Sequence, residues 1–489
     1  MEPILGLDPA GMQLRPGQGL SLQLHAQLKA RILQGSLPAA LRLPTTRELA
    51  AALQVSRNTV VRAYEQLLAE GFLQARVGDG TYVAALQTAA PPARAAAPLQ
   101  AQAAPALPAS PLWQGLQAYT PARRPSGPPR AFRYGVPALD LFPAAVWARL
   151  QARFWRRAAQ QPLGYTDPAG LPRLREMIAA YLSHGRGLHC TADQVIVTNG
   201  SQQAIAMAAL ALLGPGQRAA MESPGYRAAA AALGLAGGQV LPVPVDGHGL
   251  QVAALEALGP CRLAYVTPSH QFPGGAVMSV QRRLELLAWA RRHDAFVLED
   301  DYDGEYRYGG VPLAPLASLD SSGRTLYAGT FSKLLFPGLR LGYLVAPPAW
   351  APALARLRSA LDRHACIADQ SVLADFIEQG QFLRHVRRVR RAAEQRRDAL
   401  LTAWQRAFGT ALPLPPPDAG LHALLPLPGA AEEARLADLA ARAGIEVGRL
   451  RQVGAVPGAS QRAGLLLGFA AVPPVQIAQA VQTLARVWR

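Results

Sequence analysis

The chain contains two lysines, Lys29 and Lys333, against forty-seven arginines. Arginine keeps its proton and cannot act as an amine nucleophile, whereas a desolvated lysine can lose its proton and form a Schiff base. Lys29 falls in a predicted amphipathic helix, so we expect an ordinary solvated side chain. Lys333 follows a stretch with hydroxyl side chains and precedes Arg340 by seven positions. Lys333 is therefore either a surface-loop lysine present by chance or an amine with a covalent role.

A turn that could bind phosphate is one candidate neighbour for this amine. Gly200, Ser201 and Gln202 come after the apolar run 194–197 and open a helical pattern over 202–213. Free backbone N–H groups and the dipole at a helix N-terminus attract phosphate. Many strand-to-helix turns look alike, so this turn alone is weak support for a phosphate site.

Acidic and aromatic residues follow other apolar runs. Asp300 lies in a carboxylate-rich stretch at 299–303, directly after the apolar run 295–298. Like charges this close disfavour burial unless a cation or a protonated nitrogen compensates. A magnesium site and a solvated loop are therefore alternative interpretations of this stretch. Tyr226 follows a tight-turn sequence and His270 follows a further apolar run; taken alone, each of these rings is more readily structural.

Pyridoxal phosphate requires all of these parts at once. Its aldehyde needs an amine, its phosphate needs N–H donors and a cation, and its pyridinium nitrogen needs a carboxylate. Lys333 supplies the amine, the turn at 200–202 with Arg340 supplies the phosphate site, and Asp300 supplies the carboxylate. We therefore predict a pyridoxal phosphate site in this region and no metal site.

The elements that must position these residues alternate along the chain. Short apolar runs are separated by helical patterns such as 280–292. The runs lie at 194–197, 263–266, 295–298 and 325–328. This alternation predicts an α/β domain with a mostly parallel sheet, which we place at residues 130–489.

A separate patterned unit is predicted at residues 15–84. Apolar residues at helical spacing predict a first helix that includes 24–33. Thr45, with Glu48 three residues later, predicts a capping box at the start of a second helix. Ser56 is a suitable cap for a third helix.

The third predicted helix has a polar face that suits DNA. This face carries Arg57, Asn58, Thr59 and Arg62, and a glycine-containing turn at 78–80 predicts a β-hairpin after the helix. In the major groove, arginine can read guanine and asparagine can read adenine. Three helices and a hairpin predict a winged helix-turn-helix, with a protein-interaction bundle as the alternative.

Two motifs in this unit resemble the GntR family of bacterial transcription regulators. They are Arg-Leu-Pro-Thr-Thr-Arg-Glu-Leu-Ala at 42–50 and Val-Ser-Arg-Asn-Thr-Val at 55–60. The resemblance implies binding to double-stranded operator DNA. It also implies that Arg47 and Arg57 contact the DNA and that Thr81 in the hairpin touches a phosphate.

From Phe132 onward the order of strand, acidic loop, strand and lysine resembles the fold type I aminotransferases. The resemblance implies a large and a small domain, an internal aldimine at Lys333 and pairing of Asp300 with the ring nitrogen. The other implied cofactor contacts are Tyr302 and His270 at the phenolic oxygen, Tyr226 on the ring, Ser201, Gln202, Thr330 and Arg340 at the phosphate, and Tyr165 at the phosphate of a neighbouring subunit. His270 stands where aminotransferases usually have asparagine.

The combination of both parts resembles the MocR subfamily of GntR regulators. Residues 85–129 are rich in Ala, Pro and Gln, so we predict a semi-stiff linker between the two parts. Segments 374–391 and 419–422 support the same resemblance. It implies a head-to-tail homodimer that responds to a small-molecule effector, with the aminotransferase-like body used as a sensor rather than for physiological turnover.

One departure from the aminotransferase pattern bears on the ligand. Many amino-acid aminotransferases clamp the substrate carboxylate with an arginine in a late strand, and here Leu466 takes its place within 465–469. Loss of a bidentate clamp counts against efficient transamination. We therefore hypothesise that pyridoxal phosphate itself is the signal and that vitamin B6 metabolism genes are controlled. The alternatives are an amino-acid-like effector that forms an external aldimine, and a true aminotransferase with an accessory DNA-binding head.

Bulk properties are compatible with this interpretation. The net charge of +17 over 489 residues suits a polyanionic partner. The sequence has no run of about eighteen uncharged apolar residues, the length a membrane-spanning helix needs, and its start lacks a signal-peptide pattern. Three scattered cysteines predict neither disulfides nor a metal site. We expect a cytoplasmic protein that does not interact with membranes.

Overall fold

The computed structural model describes two compact units, Met1–Pro108 and Ala109–Arg489. The described residues are 12–85 without 16 and 18, 119, 127–157, 163–309, 313–454, 456, 458 and 462–488. The predicted linker at 85–129 lies almost entirely outside them, so its conformation stays a prediction. Among the described residues, no helix combines the length and the apolar character needed to cross a membrane.

The first unit is a three-helix domain followed by a hairpin, as the winged helix-turn-helix prediction requires. Its elements are α1 (Leu20–Leu33), α2 (Thr46–Leu53), α3 (Arg57–Ala69), β1 (Leu73–Arg76) and β2 (Gly80–Val83). The two strands are antiparallel, with Leu73 opposite Val83 and Arg76 opposite Gly80. Gly80 has a φ of +123°, which explains a glycine where the hairpin turns.

Side-chain caps set the start of both helices of the helix-turn-helix. Glu48 N donates to Thr45 Oγ1 over 3.3 Å, and Thr45 N donates to Glu48 Oε2 over 2.8 Å. The predicted capping box is thus present. At α3, Thr59 N donates to Ser56 Oγ over 3.2 Å. These bonds satisfy N–H groups that have no partner within the first helical turn.

The second unit is an α/β domain with a smaller sheet after it. Its helices are α4 (Ala144–Arg156), α5 (Pro172–Arg186), α6 (Ser201–Leu212), α7 (Arg227–Leu235), α8 (Val252–Ala257), α9 (Val280–Arg292), α10 (Ala351–Asp362), α11 (Ile367–Glu378), α12 (Gln381–Phe408), α13 (Ala430–Arg442), α14 (Leu450–Val453) and α15 (Pro474–Val487). Its strands are β3 (Val195–Thr198), β4 (Arg218–Ser223), β5 (Gln239–Asp246), β6 (Gly249–Leu250), β7 (Leu263–Val266), β8 (Phe296–Asp301), β9 (Thr325–Thr330), β10 (Gly342–Val345), β11 (His422–Leu427), β12 (Gly448–Arg449) and β13 (Ala463–Gly468).

The large sheet is mostly parallel and is covered on both faces. Its strand order is β3-β10-β9-β8-β7-β4-β5-β6. Strands β9, β8, β7, β4 and β5 run parallel, and β10 is antiparallel to both of its neighbours, so β3 runs in the same direction as β9. Val297 and Leu298 are adjacent on β8 but belong to different apolar clusters, which include helices on opposite faces.

The small sheet has the antiparallel order β11-β13-β12. The segment before α4 adds to it, because Phe132 forms a bridge with Gly468 at the end of β13. This sheet belongs to the small domain that the resemblance to aminotransferases implied. Its position matters for the site described next, since the same segment carries residues that line a cavity.

Candidate functional site

The carboxyl ends of five strands meet at one edge of the large sheet. Because β3, β4, β7, β8 and β9 run in the same direction, the loops that follow them lie side by side. A cavity of about 460 Å³ lies there. The predicted site residues that line it are Ser201, Gln202, Tyr226, Asp300, Tyr302, Thr330, Lys333 and Arg340. Positions more than a hundred residues apart in sequence are thus brought into one cavity.

Lys333 lies in the loop after β9, within this cavity and not on a surface loop. Its Nζ donates to the carbonyl oxygen of Gly135 over 2.7 Å. Gly135 also lines the cavity, and a Cβ atom at this position would lie 3.3 Å from Nζ. The amine is therefore half-buried, oriented by a backbone carbonyl, and accessible to a ligand inside the cavity.

Asp300 is a buried carboxylate with one oxygen satisfied. Its Oδ2 accepts from the Tyr265 hydroxyl over 2.7 Å, whereas its Oδ1 has no partner among the described residues. Burial raises the pKa of Asp300 to about 7, although the Tyr265 hydrogen bond and the charge of Lys333 act in the opposite direction. A buried acceptor without a partner is costly. A protonated ring nitrogen in the cavity would supply the missing donor.

The neighbouring carboxylates are each held by separate partners. Glu299 accepts from two backbone N–H groups, of Leu316 over 2.9 Å and of Ala317 over 2.8 Å. Asp301 is paired with the buried guanidinium of Arg186 and also accepts from a tyrosine hydroxyl. The solvated-loop interpretation of this stretch is therefore wrong, because Asp300 and its flanking carboxylates are buried on β8. Their separate partners also give no common ligand set for magnesium.

The loop after β3 forms an anion site with Arg340. Gly200 adopts a φ of +83° directly before α6, and a Cβ atom there would lie 3.3 Å from the Arg340 guanidinium. Arg340 also donates to the carbonyl oxygen of Asn199 over 2.8 Å. The guanidinium is thus fixed beside the N-terminus of α6, where Ser201 begins the helix. Both features attract a phosphate group.

His270 does not line the cavity but lies behind Tyr302. The Tyr302 hydroxyl is 2.8 Å from His270 Nδ1, and the same nitrogen is 3.1 Å and 3.2 Å from the two carboxylate oxygens of Asp303. A carboxylate only accepts, so Nδ1 carries the proton and the Tyr302 oxygen accepts from it as well. The hydroxyl proton of Tyr302 remains available for a ligand in the cavity.

His422, the last residue of the segment 419–422, lines the cavity beside this group. Its Nε2 is 3.1 Å from the carbonyl oxygen of Pro273, so Nε2 is the protonated nitrogen. Burial lowers the pKa of His422 to about 3, and its ring stays neutral. Ligand atoms of His270, Asp303 and His422 lie within 4.8 Å of one another, but the hydrogen bonds just described account for the cluster.

Sequence reasoning also missed other residues that line the cavity. Arg133 lies here as an ion pair with Glu446, and Tyr265 orients Asp300. No motif marked them, because their partners are far apart in the chain. Tyr165, which we expect at the phosphate of a neighbouring subunit, does not line this cavity. The residue is 89% exposed and borders a separate, mostly apolar cavity of about 400 Å³ that also includes Trp155.

The predicted DNA-contact residues are displayed on the surface of the first unit. Arg57, Asn58 and Arg62 are exposed on α3, and Arg47 is exposed on α2. The remaining two, Thr59 on α3 and Thr81 on β2, are partly exposed. The inward face of α3 is buried, so the polar face is free to enter a DNA groove.

Comparison with known families divides the chain into two parts, as the structure does. Residues 20–83 match the family of bacterial regulatory proteins, gntR family. Residues 132–484 match the aminotransferase class I and II family. The first match identifies a DNA-binding domain and the second a fold type I aminotransferase domain.

Relatives share the complete architecture. The chain is 39% identical to the probable rhizopine catabolism regulatory protein MocR of Rhizobium meliloti, over 94% of this chain and 92% of that protein. It is 33% identical to the pyridoxine biosynthesis transcriptional regulator PdxR of Corynebacterium glutamicum, over 84% of each. Among solved structures, kynurenine aminotransferase of Pyrococcus horikoshii is 26% identical, with a TM-score of 0.67 over 77% of this chain and 98% of that one.

Pyridoxal phosphate is the cofactor that this domain implies, and the residues present fit it. The cavity offers a primary amine, a buried carboxylate oxygen without a donor, and a guanidinium at a helix N-terminus. These are the three groups that the aldehyde, the ring nitrogen and the phosphate require. With both domains matched in order, the chain belongs to the MocR-type regulators of the GntR family, in which a DNA-binding winged helix-turn-helix precedes an aminotransferase domain.

Proposed function

We propose that this protein is a transcription regulator that reports pyridoxal phosphate to operator DNA and controls vitamin B6 metabolism genes. The observation that carries the proposal is that Asp300 Oδ1, in the same cavity as the amine of Lys333, has no hydrogen-bond partner within the described part of the chain. A site built only for structural stability has no use for a buried acceptor without a donor. The relative named as a pyridoxine biosynthesis regulator supports the same ligand.

Each predicted cofactor residue has a role in this proposal. Lys333 would supply the amine that holds the aldehyde carbon, and Asp300 would pair with the protonated ring nitrogen. The Tyr302 hydroxyl would donate to the phenolic oxygen, while His270 holds Tyr302 from behind. Tyr226 would stack on the ring. The turn at Gly200 would hold the phosphate together with Ser201, Gln202, Thr330 and Arg340. When bound, pyridoxal phosphate would supply an electrophilic carbon.

The DNA-binding unit reads the operator through α3 and the hairpin. Arg57 and Asn58 are proposed to contact base edges, and Thr59 and Arg62 extend the same face. Arg47 contacts the DNA from α2 and Thr81 contacts a phosphate from the hairpin. The exposed side chains and buried opposite face of α3 support this orientation.

The direct test measures operator binding by the full-length protein with and without pyridoxal phosphate. We expect the cofactor to give a visible absorbance band and to change DNA affinity, and Lys333→Ala to abolish both effects. Lys29→Ala is the matched control, since Lys29 is paired with Glu70 in the other unit. If only an amino compound changes DNA affinity, pyridoxal phosphate is not the signal.

A head-to-tail homodimer in the cytoplasm is the proposed working form. The exposed ring of Tyr165 and the apolar cavity beside it support a partner surface there. In such a dimer Tyr165 reaches the phosphate in the neighbouring subunit. Tyr165→Ala is expected to weaken cofactor binding only where the protein is dimeric, which dilution followed by light scattering and absorbance can test.

Two alternatives remain as outcomes of experiment. An amino-acid-like effector is favoured by the presence of Arg133 in the cavity. A true aminotransferase would sustain turnover of an amino donor with a keto acid at ~1 per second or more. The buried Leu466 does not line the cavity, and no clamp arises from that position.

A further inference from the structure

Asp362, the last residue of α10, is bonded to the phosphate turn, by which we mean residues 199–202. Its Oδ2 accepts from Asn199 Nδ2 and from Gln203 Nε2, each over 2.8 Å. Asn199 begins the turn, and Gln203 lies in the first turn of α6. In the described part of the chain, none of these three residues lines the cavity. Asp362 can therefore act on a ligand there only through the phosphate turn.

We propose that Asp362 is a positioning residue that fixes the phosphate turn from outside the cavity, so that the turn and Arg340 are already in place when the phosphate arrives. The proposal deepens the proposed function and rests on it, because it assigns a task within the same cofactor site. It concerns the phosphate alone and neither the aldehyde nor the ring. Two ligands that differ only in the phosphate can therefore test it.

Three hydrogen bonds fix Asn199 at the start of the turn. Its side-chain amide donates to Asp362, its backbone N donates to Gln203 Oε1 over 2.7 Å, and its carbonyl oxygen accepts from Arg340 over 2.8 Å. The next residue, Gly200, has the widest conformational freedom of any residue type. A turn built on glycine loses much of this freedom when a ligand orders it, and prior ordering removes that cost from binding.

Asp362 is itself held by Arg358, one helical turn earlier in α10. The Nε of Arg358 is 2.6 Å from Asp362 Oδ1, and the Arg358 side chain is 0% exposed. A terminal nitrogen of Arg358 also donates to the carbonyl oxygen of Val197 over 3.1 Å and to Gln203 Oε1. The guanidinium thus joins α10 to the strand before the phosphate turn and to the helix after it.

Position, rather than charge, is what Asp362 contributes. A carboxylate near a phosphate is unfavourable by itself, since like charges repel. The ion pair with Arg358 compensates the charge of Asp362, and the 35% exposure of the Asp362 side chain lets water screen the remainder.

The backbone after Asp362 holds its carboxylate in this place. Arg363 has a φ of +68° and a ψ of −81°, and His364 N donates to the carbonyl oxygen of Asp362 over 2.9 Å. These values describe a γ-turn of the strained type. Strained residues persist where their surroundings impose them, and they are concentrated at functional sites. The turn ends α10 at Asp362, where its carboxylate meets the phosphate turn.

The test compares pyridoxal phosphate with pyridoxal, which has the same aldehyde and ring but no phosphate. Cofactor-free, full-length protein is titrated with each ligand, and the absorbance band gives both affinities. Asp362→Asn and Asn199→Ala should each weaken binding of pyridoxal phosphate by ~10-fold, the lower end of what outer partners contribute at metal sites. An amide has one oxygen, so Asp362→Asn cannot serve Arg358 and the two amide donors together. Binding of pyridoxal should change by less than about 2-fold, because neither variant alters Lys333.

Asp369→Asn is the matched control, since Asp369 also accepts from a side-chain amide, that of Gln151 over 3.2 Å. It should leave both affinities unchanged. Equal weakening for the two ligands, as a general loss of structure would give, overturns the inference, and so does an unchanged affinity for pyridoxal phosphate in either variant. If Asp362→Asn fails to fold because Arg358 loses its counter-charge, Asn199→Ala decides, since it leaves that ion pair intact. Absence of a band with both ligands in the wild type would instead remove the proposed function.

Discussion

Replacing Asp300 by asparagine is expected to stabilise the cofactor-free protein at alkaline pH while weakening cofactor binding. The pKa of Asp300 is raised from 3.8 to about 7, chiefly by burial. In the unfolded chain this carboxyl ionises near its ordinary pKa, whereas in the folded protein it holds its proton up to about pH 7. Between these values the folded state binds more protons, so its stability falls as pH rises.

The size of the effect follows from the pKa difference. Each pKa unit corresponds to about 1.4 kcal/mol, so three units give a cost of about 4 kcal/mol above pH 7. Between pH 5.5 and 8.5 the wild type should lose about 2 kcal/mol through this group, because only the interval up to its folded pKa contributes. The Asp300→Asn variant lacks this loss. The difference in free energy of unfolding between the variant and the wild type should therefore grow in favour of the variant as pH rises.

The assay is urea denaturation of the cofactor-free proteins at both pH values. Glu222 and Glu299 are also buried, each with a pKa raised by burial to about 7, so only the difference between variant and wild type isolates Asp300. Asp294→Asn is the control, since Asp294 is exposed and its pKa is lowered by its Arg324 hydrogen bond. If Asp300→Asn is no more stable than the wild type, or is more stable by the same free energy at both pH values, the electrostatic account of this site is refuted. The same variant should bind pyridoxal phosphate more weakly in an absorbance titration.

Three further substitutions test other parts of the structure. Arg57→Ala should cost about 1–3 kcal/mol in operator binding and relax preference at one base pair; uniform weakening across base-substituted operators would make Arg57 a phosphate contact. Thr45→Ala removes the hydroxyl that accepts from Glu48 N, whereas the backbone N–H of residue 45 can still donate to Glu48. The loss should destabilise α2 by about 1 kcal/mol, visible as faster hydrogen exchange of its amides but not of α9. Gly420→Ala places a Cβ atom 2.0 Å from the His270 ring at a φ of +77°. It should lower the free energy of unfolding by several kcal/mol (on the order of 1–3 or more), whereas Gly429→Ala, with no atom within 4 Å, should not.

The elements of the fold followed from local patterns. The helix predicted at 280–292 and the strand at 263–266 have the same bounds as α9 and β7. The run predicted at 295–298 is shorter than β8, which continues to Asp301. Arg186 pairs with Asp301, and Tyr265 donates to one oxygen of Asp300, within this added part of the strand. Neither partner is recognisable from the local sequence.

Site residues could be predicted from the sequence where the cofactor requires a particular residue type. They could not be predicted where only tertiary packing brings a residue into the cavity. Lys333, Asp300 and Arg340 were found because the cofactor's groups demand an amine, a carboxylate and a cation. His270 was expected beside the cofactor, and the structure instead places Tyr302 between it and the cavity. Arg133 and Glu446 are separated by 313 positions, and no periodicity or motif links residues at that distance.

The scarcity of lysine makes the covalent chemistry of this protein unusually easy to map. Trypsin cleaves after Arg324 and Arg340, and a ligand reduced onto Lys333 blocks the only site between them. Borohydride trapping followed by digestion should therefore yield one modified fragment, residues 325–340, which comprises β9 and the loop that follows it. The other lysine reports background labelling in the same spectrum, so a single mass measurement would contain both the signal and its internal standard.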